Sequence, residues 1–471
     1  MRLERHDFTL TLELLSPLHI GNGDTERLGI LRPAGRKSDP DVRTIVRDCN
    51  GMPWIPPTSL KGALRDLALK ASRGPLFGRE PGGTLDDGEI DTGAAGRLIL
   101  WGGMLKGKVS DCALPYWSAD RQSFILTRVR IDRATGAAME GQLFLSEYVP
   151  AGANFEVQGC WQGSAVEFRQ HVLPLLNRMA GDYGFGLGAN GGAGFGRVRL
   201  MERAIVLKRK TLILDPQRKP TLVSSDRKFD IAPTLEPAAR LFLHCPGPVL
   251  IVDPAAGENA ERQGASELDT DDEPNAPEVA DRGNSLRAMM QKAAMPAIFG
   301  TSLLGVLRSR ASWLQQVHMG KDPDRPDHLL ESADKKDELS PCERLFGVAG
   351  WAGQLQLVKV ECSAKYFDNS YTGIALDDFT QGNIPGALFT MIAPADVWLE
   401  VHFVLDCARR ETPDMYQLWK LLLDEIDEEG IELGHATGTG FGWFERVQDA
   451  ASREAEKAQE KGEADATKAM A

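Results

Sequence analysis

The sequence has few of the residues that mark a disulfide-bonded, zinc-binding or membrane protein. Its seven cysteines are scattered and odd in number, with no CxxC pair, and its eight histidines show no metal-ligand spacing. A disulfide framework and a structural zinc site are therefore not expected. No apolar run approaches the roughly 18 residues of a membrane helix. The N-terminal MRLERHDFTL is too charged for a signal peptide. We expect a cytoplasmic protein with free thiols and no membrane partner.

Positive charge is also scarce. The chain has 54 Lys and Arg against 67 Asp and Glu, a formal net charge of −13. This balance argues at first against nucleic acid, whose phosphates favour basic surfaces. However, residues 254–281 carry nine carboxylates and only one arginine. Much of the acidic excess lies in this one insert, so local basic grooves remain compatible with the rest of the chain.

One stretch of the sequence occurs twice. Residues 52–65, MPWIPPTSLKGALR, match residues 295–308, MPAIFGTSLLGVLR, at nine of fourteen positions. Further along, AGRLIL at 95–100 is matched by AGQLQL at 352–357, and LGANGGAGFG at 187–196 by LGHATGTGFG at 433–442. Landmarks that recur in the same order indicate a duplicated unit. We predict a first domain over 1–207, a linker over 208–236, a second domain over 237–447 with the acidic insert 254–281, and a charged tail over 448–471.

The pattern within the first copy predicts an α+β fold. DFTLTLELL alternates polar and apolar residues as a half-buried strand does, GNGD at 21–24 indicates a turn, and a loop is expected to about Pro53. Thr58 or Ser59 can cap a helix with one apolar face. The predicted order is strand, helix, strand, hairpin, strand, helix, strand. This order is typical of a ferredoxin-like unit with an inserted hairpin, and it leaves one sheet face free for a ligand.

Three stretches of the first copy contain candidate binding groups. Ser59 and Lys61 stand at a helix start, where an anion is favoured, although Thr58 and Ser59 could simply cap the helix. The run GFGLGANGGAGFG permits close approach of a polymer but lacks the Lys-Ser/Thr end of a nucleotide P-loop. The hairpin over 128–147 carries three arginines, which could contact phosphates or be solvated.

A histidine and two aspartates complete the candidates. His19 ends the first strand and is expected to face the loop that holds Asp39 and Asp41. A lone histidine in this position is often structural. A loop aspartate beside a phosphate groove could hold a divalent ion, although most loop aspartates are only solvated.

Taken together, SPLHIGNGD, VRDCNGMPWIPPTSLKGALR, RIDRATGAAMEGQLFLSEYVPAG and GFGLGANGGAGFGRV resemble the RAMP superfamily of CRISPR proteins. Within it they look most like the "Cas seven"-like backbone subunits of type III effector complexes. The tandem arrangement resembles the double-copy fusion subunits of type III-D systems and, more distantly, the fused effectors of type III-E. The resemblance implies two ferredoxin-like (RRM-like) palms, each with a hairpin thumb.

The resemblance also implies an activity and partners. Such a subunit binds guide RNA, associates with other CRISPR effector subunits, and cuts target RNA with a loop aspartate and a divalent metal ion, Mg²⁺ or Mn²⁺, leaving a 2',3'-cyclic phosphate. Asp41 matches the catalytic and metal-binding position, Asp39 is its neighbour, and Asp281 is the nearest candidate in the second copy. The implied RNA-binding residues are His19, Ser59, Lys61, Arg128, Arg130, Arg133, Asn190, Ser302 and His435.

Three other interpretations remain open at the level of sequence. The chain could be a guide-RNA scaffold without nuclease activity, with Asp41 an ordinary loop residue. It could be a metal-independent endoribonuclease that processes the guide, with His19 as general base. It could also be an unrelated two-domain ligand-binding protein. The second copy lacks an HIG triplet and has Leu304 in place of Lys61, so its chemistry is expected to differ.

Overall fold

The computed structural model describes residues 5–28, 40–79, 93–110, 112–131, 138–213, 221–234, 238–254, 285–292, 295–318, 339–348, 350–405 and 413–447. The strands up to residue 230 are β1 Arg5–Leu14, β2 Gly21–Arg27, β3 Asp41–Ile45, β4 Trp54–Ile55, β5 Gly78–Arg79, β6 Ala94–Ala95, β7 Leu98–Lys106, β8 Phe124–Ile131, β9 Ala138–Tyr148, β10 Asn154–Gln162, β11 Phe185–Gly186, β12 Arg197–Leu200, β13 Ala204–Ile213 and β14 Thr221–Asp230. The helices there are α1 Pro57–Leu67, α2 Arg73–Phe77, α3 Ala165–Glu167 and α4 Leu173–Met179, with a π-helical turn Phe168–Val172 between the last two.

The second half contains a parallel set of elements. Its strands are β15 Ala239–Pro248, β16 Ser285–Arg287, β17 Met290–Lys292, β18 Met295–Pro296, β19 Gly347–Val348, β20 Trp351–Ala352, β21 Leu355–Leu376, β22 Asn383–Leu405, β23 Ile431–Glu432 and β24 Trp443–Arg446. Its helices are α5 Gly300–His318, α6 Pro341–Phe346 and α7 Pro413–Glu429. No helix among the described residues is long and apolar enough to cross a membrane.

The first sheet is organised around β1. Its main order is β11-β12-β1-β10-β7-β4, and β1 pairs antiparallel with β10 and β12. The period-two pattern of β1 buries Phe8, Leu10, Leu12 and Leu14 on one face. The helices α1 and α4 contribute to the same apolar cluster, so they cover that face. The mixed α and β content predicted from the sequence is confirmed.

The second half repeats this arrangement. Strands β24, β15, β22 and β21 lie in an order that matches β12, β1, β10 and β7. Backbone bonds repeat as well: the N–H of Gly196 donates to Pro17 O, and the N–H of Gly442 donates to Pro248 O, each at 2.8 Å. Side chains at these two glycines would meet a backbone oxygen at 1.8 and 1.9 Å, and both glycines have positive φ. The predicted duplication is confirmed.

Strands occur in a stretch that the sequence predicts to be a turn and a loop. The loop expected from GNGD to Pro53 includes β2 and β3, and β3 pairs in parallel with β9 at Val42 and Arg43. This pairing builds the four-stranded sheet β2-β3-β9-β8 around the arginine-rich hairpin. The alternating DVRTI segment, with Val42 and Thr44 buried, explains the strand.

The prediction of a linker over 208–236 is wrong for the part of that range that the structure describes. Strand β13 begins at Ala204 and pairs along its whole length with β14, and Lys208 also pairs with Asp7 of β1. The β-hairpin is anchored by buried Leu207 and Phe229, which join the first core. The basic KRK start and the three prolines of 208–236 indicate a linker, whereas the described residues form a hairpin of the first sheet.

Helix α1 begins without the predicted side-chain cap. Pro57 occupies its first turn, and Pro56 is the N-cap residue, with no side-chain hydrogen bond. Thr58 and Ser59 lie inside the helix. Proline is well suited to this position because it fixes φ and has no N–H to satisfy.

Candidate functional site

The centre of the candidate site is His19, which follows β1 and packs beneath the arginine-rich hairpin. Its side chain is 8% exposed, its ring lies 5.4 Å from that of Tyr148, and its Nδ1 is 2.7 Å from the carbonyl oxygen of Glu147. A carbonyl only accepts, so Nδ1 carries the proton. Burial lowers the pKa of His19, and the charges of Arg128 and Arg43 lower it further against the opposing effect of Glu147. Neutral His19 therefore leaves Nε2 as an acceptor.

The glycine-rich loop is fastened to the same place through Tyr148. Asn190 has φ of 61° and donates from Nδ2 to the Tyr148 hydroxyl at 3.0 Å. The backbone N–H of Ala189 donates to His19 O at 2.9 Å. Burial raises the pKa of Tyr148, so the phenol keeps its proton at neutral pH. The structure thus brings two of the predicted residues, His19 and Asn190, to one site.

Two arginines, on the strands that flank β9, bring positive charge to this site. Arg43 on β3 stands opposite Ser146 on β9, and Arg128 on β8 donates to the Ser146 hydroxyl at 3.4 Å. The Nε of Arg128 is buried without a hydrogen-bond partner among the described residues. No salt bridge joins either arginine to a described carboxylate. Arg43 is exposed, and the buried Nε of Arg128 is a polar group that would normally be satisfied, so this pair of guanidinium groups is suited to an anionic ligand.

Asp41 lies at the start of β3, two residues before Arg43. Residues two apart share a strand face, so the carboxylate and the guanidinium project from the same side. Asp41 is 59% exposed, and its Oδ1 lies 3.1 Å from Nε of Arg27 on the neighbouring strand. The predicted catalytic residue is thus accessible and lies on the same strand face as Arg43.

A buried carboxylate fixes the strand that carries Asp41. Glu147, 1% exposed, accepts from the backbone N–H of Ile45 at 3.1 Å and from Nη2 of Arg47 at 2.5 Å. It also accepts from Ser123 at 2.6 Å and Arg121 at 3.1 Å. Burial raises the pKa of Glu147, but these hydrogen bonds and the charge of Arg47 outweigh burial and hold the pKa below its ordinary value. The ionised carboxylate therefore ties β3 to β9.

The remaining predicted residues of the first copy stand in other places. Ser59 is half-buried and Lys61 exposed, both on α1, and neither makes a side-chain hydrogen bond to another described residue. Arg130 is exposed farther along β8. Asp39, Arg133 and Asp281 lie outside the described residues.

The second copy keeps the backbone of this site and changes its chemistry. The N–H of His435 donates to Leu250 O at 2.7 Å, as that of Ala189 does to His19 O. Strand β16 pairs in parallel with β22 as β3 does with β9. The residues in equivalent places are Leu250 for His19, Leu286 for Arg43, Gly373 for Arg128, Ala393 for Tyr148 and Ala436 for Asn190. Every polar member of the cluster is replaced by an apolar residue or glycine.

The two described predicted residues of the second copy, Ser302 and His435, lie on different elements. His435 is exposed and occupies the place of Ala189, and the backbone N–H of Ser302 donates to Phe299 O at 3.0 Å near the start of α5. Strand register puts Ser285 in the place of Val42. The sequence position that matches Asp41 by this register is residue 284, which lies outside the described residues, as Asp281 does.

Sequence reasoning missed Arg43, Tyr148 and the anchoring role of Glu147. The alternation of DVRTI could have placed Arg43 on the face of Asp41, because Val42 and Thr44 are the buried positions. No local pattern could have identified Glu147, whose partners come from residues 45, 47, 121 and 123.

The described residues offer a metal ion one carboxylate rather than a cage. No group of three or more His, Cys, Asp or Glu side chains among them is arranged to hold a metal. Mg²⁺ commonly keeps several waters and is bound through one or two carboxylates together with substrate phosphates. Asp41, which is exposed and lies beside Arg27 and Arg43, fits that arrangement with a phosphate as a further ligand of the metal ion.

Comparison with known proteins identifies a protein family and a number of similar solved structures. The RAMP superfamily matches residues 11–199 and 291–445, one region in each copy. No curated protein matches the chain. A chain from a cryo-electron microscopy structure of a type III-B Cmr-beta complex in the apo state is similar at 15% identity and a TM-score of 0.30, covering 41% of this chain and 96% of that chain. Because the family match spans most of the sequence in two separate regions, the chain belongs to the RAMP superfamily and carries it in tandem.

Proposed function

We propose that this protein is a double backbone subunit of a type III CRISPR effector complex. In this role it binds guide RNA, holds complementary target RNA, associates with other effector subunits in the cytoplasm and takes part in antiviral defence. Its membership of the RAMP superfamily and the four sequence motifs support this assignment. The strand order β12-β1-β10-β7 supports a ferredoxin-like palm, and the β8–β9 hairpin corresponds to the thumb.

The observation that carries the RNA-binding proposal is the pair Arg43 and Arg128 beside His19, neither of which forms a salt bridge with a described carboxylate. Phosphate backbones are bound chiefly by Arg and Lys, and the buried Nε of Arg128, which has no hydrogen-bond partner among the described residues, is costly unless a ligand occupies it. The second copy has Leu286 and Gly373 in the places of Arg43 and Arg128. A purely structural pair would be expected in both copies of a duplicated fold.

The state of His19 suggests which part of RNA it meets. Its Nδ1 donates to Glu147 O, so its Nε2 accepts. A phosphate oxygen offers no proton, whereas a ribose 2'-hydroxyl is a donor and distinguishes RNA from DNA. We therefore assign the phosphate contacts to Arg43 and Arg128, and a sugar hydroxyl to His19.

For cleavage, we propose transesterification beside Asp41. The ribose 2'-oxygen forms a bond to phosphorus, the bond to the 5'-oxygen breaks, and a 2',3'-cyclic phosphate results. The 2'-hydroxyl proton passes to solvent, and the leaving 5'-oxygen takes a proton from water. Asp41 would help to hold Mg²⁺ or Mn²⁺, which when bound polarises the scissile phosphate. Arg43 adds positive charge beside the developing charge, and Arg27 must release Asp41.

A non-cleaving scaffold is the second candidate function. The ion pair between Asp41 and Arg27, at 3.1 Å, is the specific observation in its favour. An aspartate committed to that pair would support the β2–β3 ribbon without meeting a metal ion. Such a scaffold would make every RNA contact proposed above but would not cleave the target RNA.

Binding is tested with the full chain and a fluorescein-labelled single-stranded RNA. We expect Arg43→Ala combined with Arg128→Ala to weaken binding at least tenfold, about 1.4 kcal/mol, and to reduce its salt dependence. Lys61→Leu, which copies Leu304 of the second copy, should weaken it less. Lys420→Ala, an exposed lysine on α7, is the matched control and should leave binding unchanged. Equal affinity of all four proteins would place the RNA elsewhere.

A further inference from the structure

A phenylalanine of the second copy packs against the aromatic residues of the candidate site in the first copy. Its Phe299 stacks 6.3 Å from Phe124 at 13° and 5.7 Å from Phe195 at 24°. Phe195 lies 5.0 Å from Tyr148, whose ring lies 5.4 Å from that of His19. Continuous ring contact therefore runs from the second copy to the histidine of the first. Phe124, Tyr148 and Phe195 are nearly or fully buried in this contact.

The backbone of the two copies also meets here. A Cβ at Gly300 would lie 2.2 Å from Ala193 O, in the glycine-rich loop of the first copy. Close approach of this kind requires glycine. The N–H of Ala113 donates to Gln291 O at 3.1 Å and extends the contact.

The repeat diverges where this contact is made. The matched stretches read PWIPPTSL in the first copy and PAIFGTSL in the second, so Phe299 and Gly300 replace Pro56 and Pro57. These two substitutions give the second copy the ring and the close backbone approach used at the junction. The two substitutions therefore indicate that this surface of the second copy is shaped to pack against the first copy.

We propose that Phe299 is a positioning residue for the RNA-binding site of the first copy, acting through Phe195 and Tyr148 on His19 and Asn190. The first site is then composite and incomplete without the second copy. The inference rests on the proposed RNA-binding function. It goes beyond that function by making the second copy, whose own site is apolar, a structural part of the first.

Loss of the Phe299 ring should loosen the site without removing any group that meets RNA. Phe299→Ala leaves a gap beside Phe124 and Phe195, so Tyr148 is no longer held against His19. We expect the affinity of the full chain for fluorescein-labelled single-stranded RNA to fall about tenfold. Phe299→Leu, which refills most of the gap, should lower it threefold or less. Phe346→Ala removes a half-buried ring packed on the second core and is the matched control, with affinity unchanged.

A second readout separates positioning from a general loss of stability. Burial holds the pKa of His19 below its ordinary value, with Arg128, Arg43 and Glu147 the charged groups that act on it. Water admitted by Phe299→Ala should raise that pKa, measured by titrating the histidine carbon resonance in the full chain without RNA. Phe346→Ala should leave it in place.

The outcomes are distinguishable. Weaker RNA binding and a raised His19 pKa in Phe299→Ala alone support the inference. Unchanged affinity together with an unchanged His19 titration overturns it while the proposed function stands. If the wild-type chain binds no RNA, the proposed function fails, and the His19 titration still decides whether Phe299 fixes the site. A raised pKa in Phe346→Ala as well would also overturn the inference, because the effect would then be general destabilisation.

Discussion

Replacing Glu147 by Gln tests whether a buried carboxylate holds the Asp41 strand in place. The side chain is 1% exposed and accepts four hydrogen bonds, two of them from Arg47 and Arg121. Removing one partner of a buried ion pair costs about 3–5 kcal/mol. Arg47 and Arg121 remain 16% and 31% exposed, so water can partly solvate them. We therefore expect a loss near the lower figure.

Calorimetry of the full chain measures this loss. A change of about 3 kcal/mol in a domain of this size lowers the melting temperature by about 6–12 °C. The transition that shifts should be that of the first copy, identified by loss of amide protection on β3 and β9 in hydrogen exchange. Glu156→Gln is the control, since its exposed contact with Lys106 is 4.0 Å long and worth at most a few tenths of a kcal/mol. Equal melting of both variants would refute the anchoring role.

The same carboxylate predicts an acid dependence. Because its folded pKa lies below the ordinary value of 4.5, Glu147 binds protons more weakly in the folded state. Its contribution is complete above the unfolded pKa and is lost as pH falls through the lower folded pKa. The stability difference between wild type and Glu147→Gln should be constant at neutral pH and should shrink only below about pH 4.5. A difference that shrank between pH 6 and 8 would contradict this assignment.

Two further predictions concern the junction of the copies. Tyr183→Phe removes the hydroxyl 2.7 Å from Nδ1 of buried His402 and should destabilise the full chain by about 1–3 kcal/mol in urea unfolding; unchanged stability would show that the bond carries no weight. Gly300→Ala forces a methyl group to 2.2 Å from Ala193 O and should cost about 1–3 kcal/mol. Gly305→Ala, on the same helix with nothing within 4 Å, should be neutral or stabilising, and similar losses for both glycine variants would argue against the close contact.

Much of the fold was accessible from sequence because it depends on local periodicity and on repetition. The alternation of DFTLTLELL placed Phe8 and Leu10 on the core face, and the recurring glycines of the 187–196 loop marked equivalent turns. The β13–β14 hairpin was missed because its pairing with β1 is non-local. The prolines of this stretch, which lie outside the paired positions, indicate a linker when the sequence is considered alone.

The site was only partly accessible for the same physical reason. His19 and Asn190 are adjacent through Tyr148, and nothing in the spacing of residues 19, 148 and 190 reveals that. The coupling to Phe299 is still more remote in sequence. What the sequence did contain was the pair of substitutions at positions 299 and 300, which acquire meaning only when the two copies are seen packed together.

The most direct test of cleavage by the first copy is a map of cleavage positions on a complementary target RNA, made with the assembled effector complex containing wild-type or Asp41→Asn protein. Asparagine keeps the size of the side chain and removes the charge that would hold a divalent ion. We expect cleavage at the position served by this first copy to disappear while guide and target RNA remain bound. Cleavage at every original position in the variant would show that Asp41 is not the catalytic residue.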